Sequence, residues 1–213
     1  GDYFKKEQLP WFYEFLTKEL GLDPKKLYVS IFKGNDSVPK DEESYAIWKH
    51  LGFADDHIFA YEDNWWSRSG LPEKMPAGEP GGPDSEVFYD FETPHDPKFG
   101  EKCHPNCQCG RFMEIGNSVF MEYQKTSDGN IVPLPQRNVD FGGGLERLNA
   151  AVNGTPDIFT TDSFSSIISI IEQVTKKTYG TNNLETTSMR IVADHIRGAV
   201  MMMADGVVPG NKQ

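Results

Sequence analysis

What the chain lacks narrows its chemistry first. No apolar run among its 213 residues approaches the roughly 20 needed to span a bilayer, and no signal-peptide pattern is read at its start. An excess of basic charge is missing as well. Lys and Arg number 21 against 32 Asp and Glu, a net charge of −11, which excludes a non-specific coat on DNA or RNA. A local, shape-specific contact with RNA stays open. Cysteine is scarce, odd in number and clustered, so a secreted disulfide framework is excluded and the expected compartment is cytoplasmic. There is no P-loop Lys-Ser/Thr and no dinucleotide fingerprint. The five histidines are scattered, with no Ser-His-Asp or Cys-His nucleophile set. Repeats and low-complexity tracts are absent too. The chain opens Gly1-Asp-Tyr without an initiator Met and stops at Pro209-Gly-Asn-Lys-Gln213, so a fragment of a longer protein is expected.

What is present is organised around residues 111–148. Arg111-Phe-Met-Glu-Ile-Gly-Asn-Ser-Val-Phe-Met-Glu-Tyr123 is apolar on both alternations, as a central strand requires. Asp128-Gly129 then marks a hairpin turn, followed by a second strand and Gly142-Gly-Gly144 leading into a helix that carries Glu146 and Arg147. A strand, glycines and a helix start make a floor for an anionic ligand, because unpaired N–H groups at a helix N-terminus attract negative charge.

Before this stretch, residues 4–20 read as an amphipathic helix ended by Gly21, residues 27–32 as a short strand, and Asp41 as the start of a second helix that stops near Gly52. Residues 64–86 hold too many prolines and glycines for helix or inner strand and read as a long loop carrying Trp65 and Trp66. Glu86 to Asp90 returns to strand. Residues 91–110 form a polar loop in which Cys103, His104, Cys107 and Cys109 would give four soft ligands for zinc; the other reading is reduced thiols in a loop. After Thr155-Pro156 two helices are expected, 162–177 and 185–204. The second has Ile191, Ile196, Val200 and Met203 near helical spacing and a row of Arg190, Asp194 and Arg197 that ordinarily forms a solvated ion-pair ladder.

Glu114 and Asn117 are polar residues three apart in an apolar strand, so they point to opposite faces unless a bulge near Gly116 intervenes. Asp140 is a carboxylate at a strand end beside a helix N-terminus, suited to an ammonium group held near an anion.

Several segments together resemble the alanyl-tRNA synthetase family of class II aminoacyl-tRNA synthetases. They are Gly1-Asp-Tyr-Phe-Lys-Lys-Glu7, Asn64-Trp-Trp66, Gly82-Pro-Asp-Ser-Glu-Val-Phe-Tyr-Asp90, Arg111 to Tyr123, Val139-Asp-Phe-Gly-Gly-Gly-Leu-Glu-Arg-Leu148, and Met189 to Arg197 with Ala204 to Asn211. They fall in the family's order over nearly the whole chain. The resemblance implies an α+β fold, a class II antiparallel sheet flanked by helices and followed by an all-helical segment. Residues 1–154 would be the C-terminal part of the catalytic domain and 155–213 the start of a helical tRNA-recognition domain. It implies ATP-dependent ligation of L-alanine to its tRNA through an alanyl-adenylate. Glu114, Arg147 and Gly144 would hold Mg-ATP. Asp140 would receive the alanine ammonium, with Asn117, Val119, Trp66 and Gly142 shaping the methyl pocket. Asn211, Arg190 and Arg197 would meet the tRNA acceptor stem. Such chemistry rests on positioning and charge stabilisation, so no side chain is assigned as a catalytic nucleophile.

The chain departs from the family at Glu79-Pro-Gly-Gly-Pro-Asp-Ser-Glu86, which lacks two customary cysteines, and at Gly116, where the family commonly has Trp and the pocket wall is expected to differ. The family's motif 1 and most of motif 2 would lie before Gly1, so residues 1–213 alone are not expected to aminoacylate tRNA. A synthetase-like paralogue that binds nucleotide or tRNA without ligating, and a zinc-stapled structural domain, are the competing readings.

Overall fold

The structure, a computed structural model, describes residues 3–210. It divides into two compact units, with the boundary between Pro156 and Asp157.

The first unit is built on a six-stranded sheet. Its strands are β1 (Leu27–Phe32), β2 (Ile58–Tyr61), β3 (Trp65–Ser67), β4 (Pro80–Asp90), β5 (Phe112–Lys125) and β6 (Ile131–Gly143). The order is β2-β1-β4-β5-β6, with β3 paired to β4. All pairings are antiparallel except β1 with β2, which run parallel. β4 and the middle of β5 are buried on both alternations, which is why they read as continuous rather than alternating apolar runs. The Asp128-Gly129 turn closes the β5–β6 hairpin, Gly129 taking the positive φ that the turn demands.

Helices α1 (Lys5–Glu14) and α2 (Glu42–His50) cover one face of this sheet. Leu9, Phe12 and Leu16 from the first helical stretch and Trp48 from α2 pack with Val29, Ile31, Val87, Ile115 and Phe120 in one buried cluster. Asp41 caps α2 by accepting from the Ser44 amide at 3.1 Å, and it also receives the buried Lys5 ammonium at 2.9 Å. Lys5 reaches Glu122 of β5 at the same distance, so one cation ties both helices' starts to the sheet. α3 (Leu145–Asn153) follows the glycines, burying Ala150 and Ala151, and ends at left-handed Gly154.

Two readings of these strands need correction. The supposed 64–86 loop contains β3 and the first half of β4, so a Pro-Gly-Gly-Pro run does lie in an inner strand. It is tolerated because the pairing with β5 is irregular between Gly81 and Asp84, and because Gly82 lies under the Phe120 carbonyl, only 1.8 Å from where a Cβ would stand. The second concerns Gly116, which faces the helices and not the pocket. A Cβ there would lie 2.4 Å from Cζ of Phe12, whose ring fills that space.

The second unit contains α4 (Ser165–Thr175) and α5 (Asn183–Ala204). Its core is Phe164, Ile168, Met189 and Ala193. The apolar residues picked out by spacing, Ile191, Ile196, Val200 and Met203, are instead exposed, because the core-facing stripe of α5 runs through Thr186, Met189 and Ala193. The expected ion ladder is also replaced. Arg190 donates to Asp157 at 2.8 Å and to the Tyr179 hydroxyl at 2.7 Å, and the Arg197 guanidinium lies 4.1 Å from the centre of the Phe164 ring. No helix among the described residues is long and apolar enough to cross a membrane.

The Phe12 contact predicts that Gly116→Ala lowers stability by about 1–3 kcal/mol through overpacking. Combined with Phe12→Ala, the loss should be smaller than the sum of the two single changes, read by denaturant unfolding. Additive losses would mean that the two positions do not compete for the same space.

Candidate active site

The sheet face opposite α1 and α2 carries the polar residues. The register settles which side chains share it, since directly paired residues of antiparallel strands point the same way. On β4, Asp84, Glu86 and Phe88 alternate onto this face. Asp84 pairs with Val119, which pairs with Asp140 of β6; Glu86 pairs with Asn117, which pairs with Gly142. Phe88 pairs with Glu114. The partners advance from Val87–Gly116 to Phe88–Glu114, so Ile115 is an extra residue in β5. That bulge gives Glu114 and Asn117, three apart in sequence, a common face.

Glu114 meets Arg147 from the first turn of α3. The Arg147 Nη1 donates to Glu114 Oε2 at 3.0 Å and to the Glu114 carbonyl at 3.1 Å. A guanidinium has five N–H donors, and Nε and Nη2 have no hydrogen-bond partner among the described residues. Gly144 caps α3, with the Arg147 side chain folded against it, 3.0 Å from where a Cβ would stand. Glu86, Phe88, Phe112, Glu114 and Arg147 line a cleft of about 400 Å³, whose remaining wall comes from the 105–110 loop. At the other end of the face Asp140 is exposed at the strand edge, and Gly142 leaves open space where a side chain would stand. Of the two tryptophans, Trp65 anchors the chain in a second core cluster with Phe32, Val38 and Met75, while Trp66 is 43% exposed.

Sequence reasoning missed the residues beneath this face. The buried Asn64 amide donates to Ser30 Oγ at 2.8 Å, to Asp84 Oδ1 at 2.9 Å and to Glu86 Oε2 at 2.8 Å; Ser30 donates to Glu86 at 2.7 Å. Burial pushes the Asp84 carboxyl up to about 8, opposed by the Asn64 hydrogen bond and reinforced by the charge of Glu86. Burial raises Glu86 as well. The carbonyl oxygens of Asn64 and Asn117 are buried without a partner among the described residues. A buried acid and a half-buried one beside acceptors without partners among the described residues are arranged for a ligand that brings N–H donors or positive charge. The available signal was the two-residue spacing of Asp84 and Glu86 inside an otherwise small and apolar strand.

The cysteine loop is also reassigned. His95, Cys103, Cys107 and Cys109 bring one donor atom each to within 4.8 Å of one another. His104 is not in this group; its Nδ1 lies 3.0 Å from the Tyr61 hydroxyl. Adjacent residues 103 and 104 would have had to converge from neighbouring backbone positions, and the loop avoids this by folding His95 back onto the thiols. Arg190 and Arg197 lie on α5 in the second unit, and Asn211 falls outside the described residues.

The sheet thus carries a glycine-led helix and an arginine–glutamate pair on its polar face. The sequence model described as "tRNA synthetases class II (A)" matches residues 1–213, and the chain belongs to that family. Among curated relatives, a protein named alanine–tRNA ligase from Treponema denticola is 45% identical over 96% of this chain and 33% of its own length. Its namesake in Treponema pallidum is 42% identical over 97% of this chain and 33% of the relative. That of Petrotoga mobilis is 38% identical over the whole of this chain and 23% of the relative. The chain thus spans about a third or less of the length of these relatives.

Asp84 predicts a pH signature. Its carboxyl is held up at about 8 against an ordinary 3.8, so its proton is bound more tightly in the fold than in the unfolded chain. That contribution is fully present below the ordinary value and is lost as pH rises through about 8. Asp84→Asn, which mimics the protonated acid, should therefore gain in melting temperature relative to the parent as pH rises across this interval. A difference that stays flat with pH would refute the burial assignment.

Proposed function

We propose that this chain is part of the aminoacylation machinery of an alanine–tRNA ligase, a cytoplasmic enzyme acting on L-alanine, ATP and the acceptor stem of alanine tRNA. What supports this reading is the single sheet face that gathers Glu114, Asn117, Val119, Asp140, Gly142 and Arg147 through the Ile115 bulge. Membership of the synthetase family and the names of the relatives supply the substrates.

In this reading the two ends of the face divide the work. Arg147 and the N-terminus of α3 at Gly144 take the ATP phosphates. Glu114, an oxygen donor beside Glu86, would hold Mg, whose chemistry is to neutralise charge on the phosphates. Asp140 receives the alanine ammonium. The Asn117 carbonyl oxygen, buried and without a partner among the described residues, supplies a second acceptor, and Val119 packs against the methyl. Gly142 keeps the floor open and Trp66 closes the rim. So held, the alanine carboxylate attacks the α-phosphorus, pyrophosphate leaves, and alanyl-adenylate forms. The terminal ribose hydroxyl of the tRNA then takes the alanyl group and AMP leaves. The protein's part is alignment and charge compensation. Asn211, Arg190 and Arg197 would contact the acceptor stem. The thiol-rich cluster with His95 fits zinc, a soft-ligand ion, better than magnesium.

Asp140→Ala in the complete polypeptide tests the reading. Alanine-dependent ATP–pyrophosphate exchange should fall roughly 100-fold or more, the scale of losing one charged partner of a desolvated pair, while the melting temperature is kept. Normal exchange by the variant would remove Asp140 from the site. Exchange missing from the parent as well, with ATP or tRNA still bound, would favour a non-ligating paralogue.

A further inference from the structure

We propose that His95, Cys103, Cys107 and Cys109 bind one zinc ion whose task is to fix the wall of the nucleotide cleft, so that metal occupancy sets affinity for ATP. This rests on the reading of that cleft as the ATP site.

The four donor atoms lie within 4.8 Å of one another, and two of their separations are close to those of a closed tetrahedral site. With Zn–S near 2.3 Å and Zn–N near 2.0 Å, tetrahedral donors lie roughly 3.5–3.8 Å apart. Cys103 Sγ and Cys109 Sγ are 3.4 Å apart, and Cys107 Sγ is 3.8 Å from His95 Nδ1. The sulfur separation is far beyond a disulfide bond. The imidazole is already oriented for the task. Its Nε2 lies 2.8 Å from the Gly100 carbonyl, which can only accept, so that nitrogen carries the proton and the Nδ1 lone pair faces the thiols. A backbone carbonyl on the far nitrogen is the usual support of a metal-bound histidine.

The placement of the cluster gives it a consequence. The connection between β4 and β5 runs from residue 91 to 111, long for a hairpin. At its base Arg111 makes two hydrogen bonds to Asp90, at 2.8 and 2.7 Å. Beyond that base, regular structure is confined to one short turn at Pro97–Phe99. His95 sits early in the connection and the three cysteines late, so a shared ion would close it across its width. A clip of that kind removes much of the chain entropy that a long loop otherwise retains. The segment so fixed includes Pro105, Asn106, Cys107 and Gln108, which line the cleft together with Glu114 and Arg147. With no metal, ordering this wall falls to the incoming nucleotide, and its affinity drops accordingly.

The test uses the complete polypeptide. Zinc content is measured under chelator challenge in the parent and in His95→Ala, Cys109→Ser and His104→Ala variants, alongside equilibrium binding of Mg-ATP and of L-alanine. One zinc per chain is expected in the parent and in His104→Ala, with loss from the other two. Zinc-free protein should bind Mg-ATP roughly tenfold more weakly. Its affinity for alanine, which is held at the other end of the face, should stay within about twofold. If the variants misfold, stripping the parent of zinc and adding it back must lower and restore ATP affinity, with hydrogen exchange in residues 101–110 rising and falling in step. A parent without zinc, or one with a Cys103–Cys109 disulfide, overturns the site. Zinc loss from His104→Ala but not His95→Ala overturns the ligand set. Zinc bound but without effect on ATP affinity overturns only the link to the cleft, and ATP bound nowhere refutes the cleft reading itself.

Discussion

The bulge at Ile115 in β5 decides whether this sheet has a site at all. Without it, with Ile115 paired in regular register, Glu114 would project into the apolar layer under α1 and α2, and Asn117 alone would face the cleft. With it, the strand turns over once and both polar side chains join Glu86 and Asp84 on the open face. The bulge is held from behind. Ile115 is fully buried, and the side-chain-free Gly116 lets the Phe12 ring come up against the strand. A close approach further along, where Gly82 passes under the Phe120 carbonyl, keeps β4 and β5 paired through a second irregularity. Packing on the helix side therefore sets chemistry on the opposite side.

The face so assembled is electrostatically incomplete. Asp84 is buried and Glu86 half-buried, with the Asn64 and Asn117 amides and the Ser30 hydroxyl as side-chain donors, and the Asn64 and Asn117 carbonyls have no partner among the described residues. Such an arrangement opposes folding as the acids ionise and favours a cationic or N–H-bearing ligand, a common trade of stability against function. At the other end Arg147 supplies positive charge beside Glu114. Acceptors at one end and a guanidinium at the other suit a reaction that joins an amino acid to a nucleotide phosphate.

Much of this was legible in the sequence. The β5–turn–β6–α3 unit follows from apolar alternation, the Asp128-Gly129 turn and the three glycines, and the need for a bulge follows from the spacing of Glu114 and Asn117. Three things were hidden. Pro80 to Pro83 looked unfit for an inner strand because close approach of strands, which favours glycine, is invisible in one dimension. Asp84 and Glu86 were passed over because burial of an acid depends on neighbours far along the chain, here Ser30 and Asn64. His95 was overlooked because His104 stands beside Cys103 in sequence, although adjacency makes joint ligation harder. On α5 the apolar spacing was real, but the buried stripe is the one that meets Phe164 and Ile168.

The central claim is that one face holds amino acid at Asp140 and phosphate at Arg147. A crystal structure of the complete polypeptide with a non-hydrolysable alanyl-adenylate analogue tests it most directly. The ammonium is expected within hydrogen-bond distance of Asp140, the methyl against Val119, and a phosphate oxygen on Arg147. An analogue bound away from this face, or with its ammonium remote from Asp140, would contradict it.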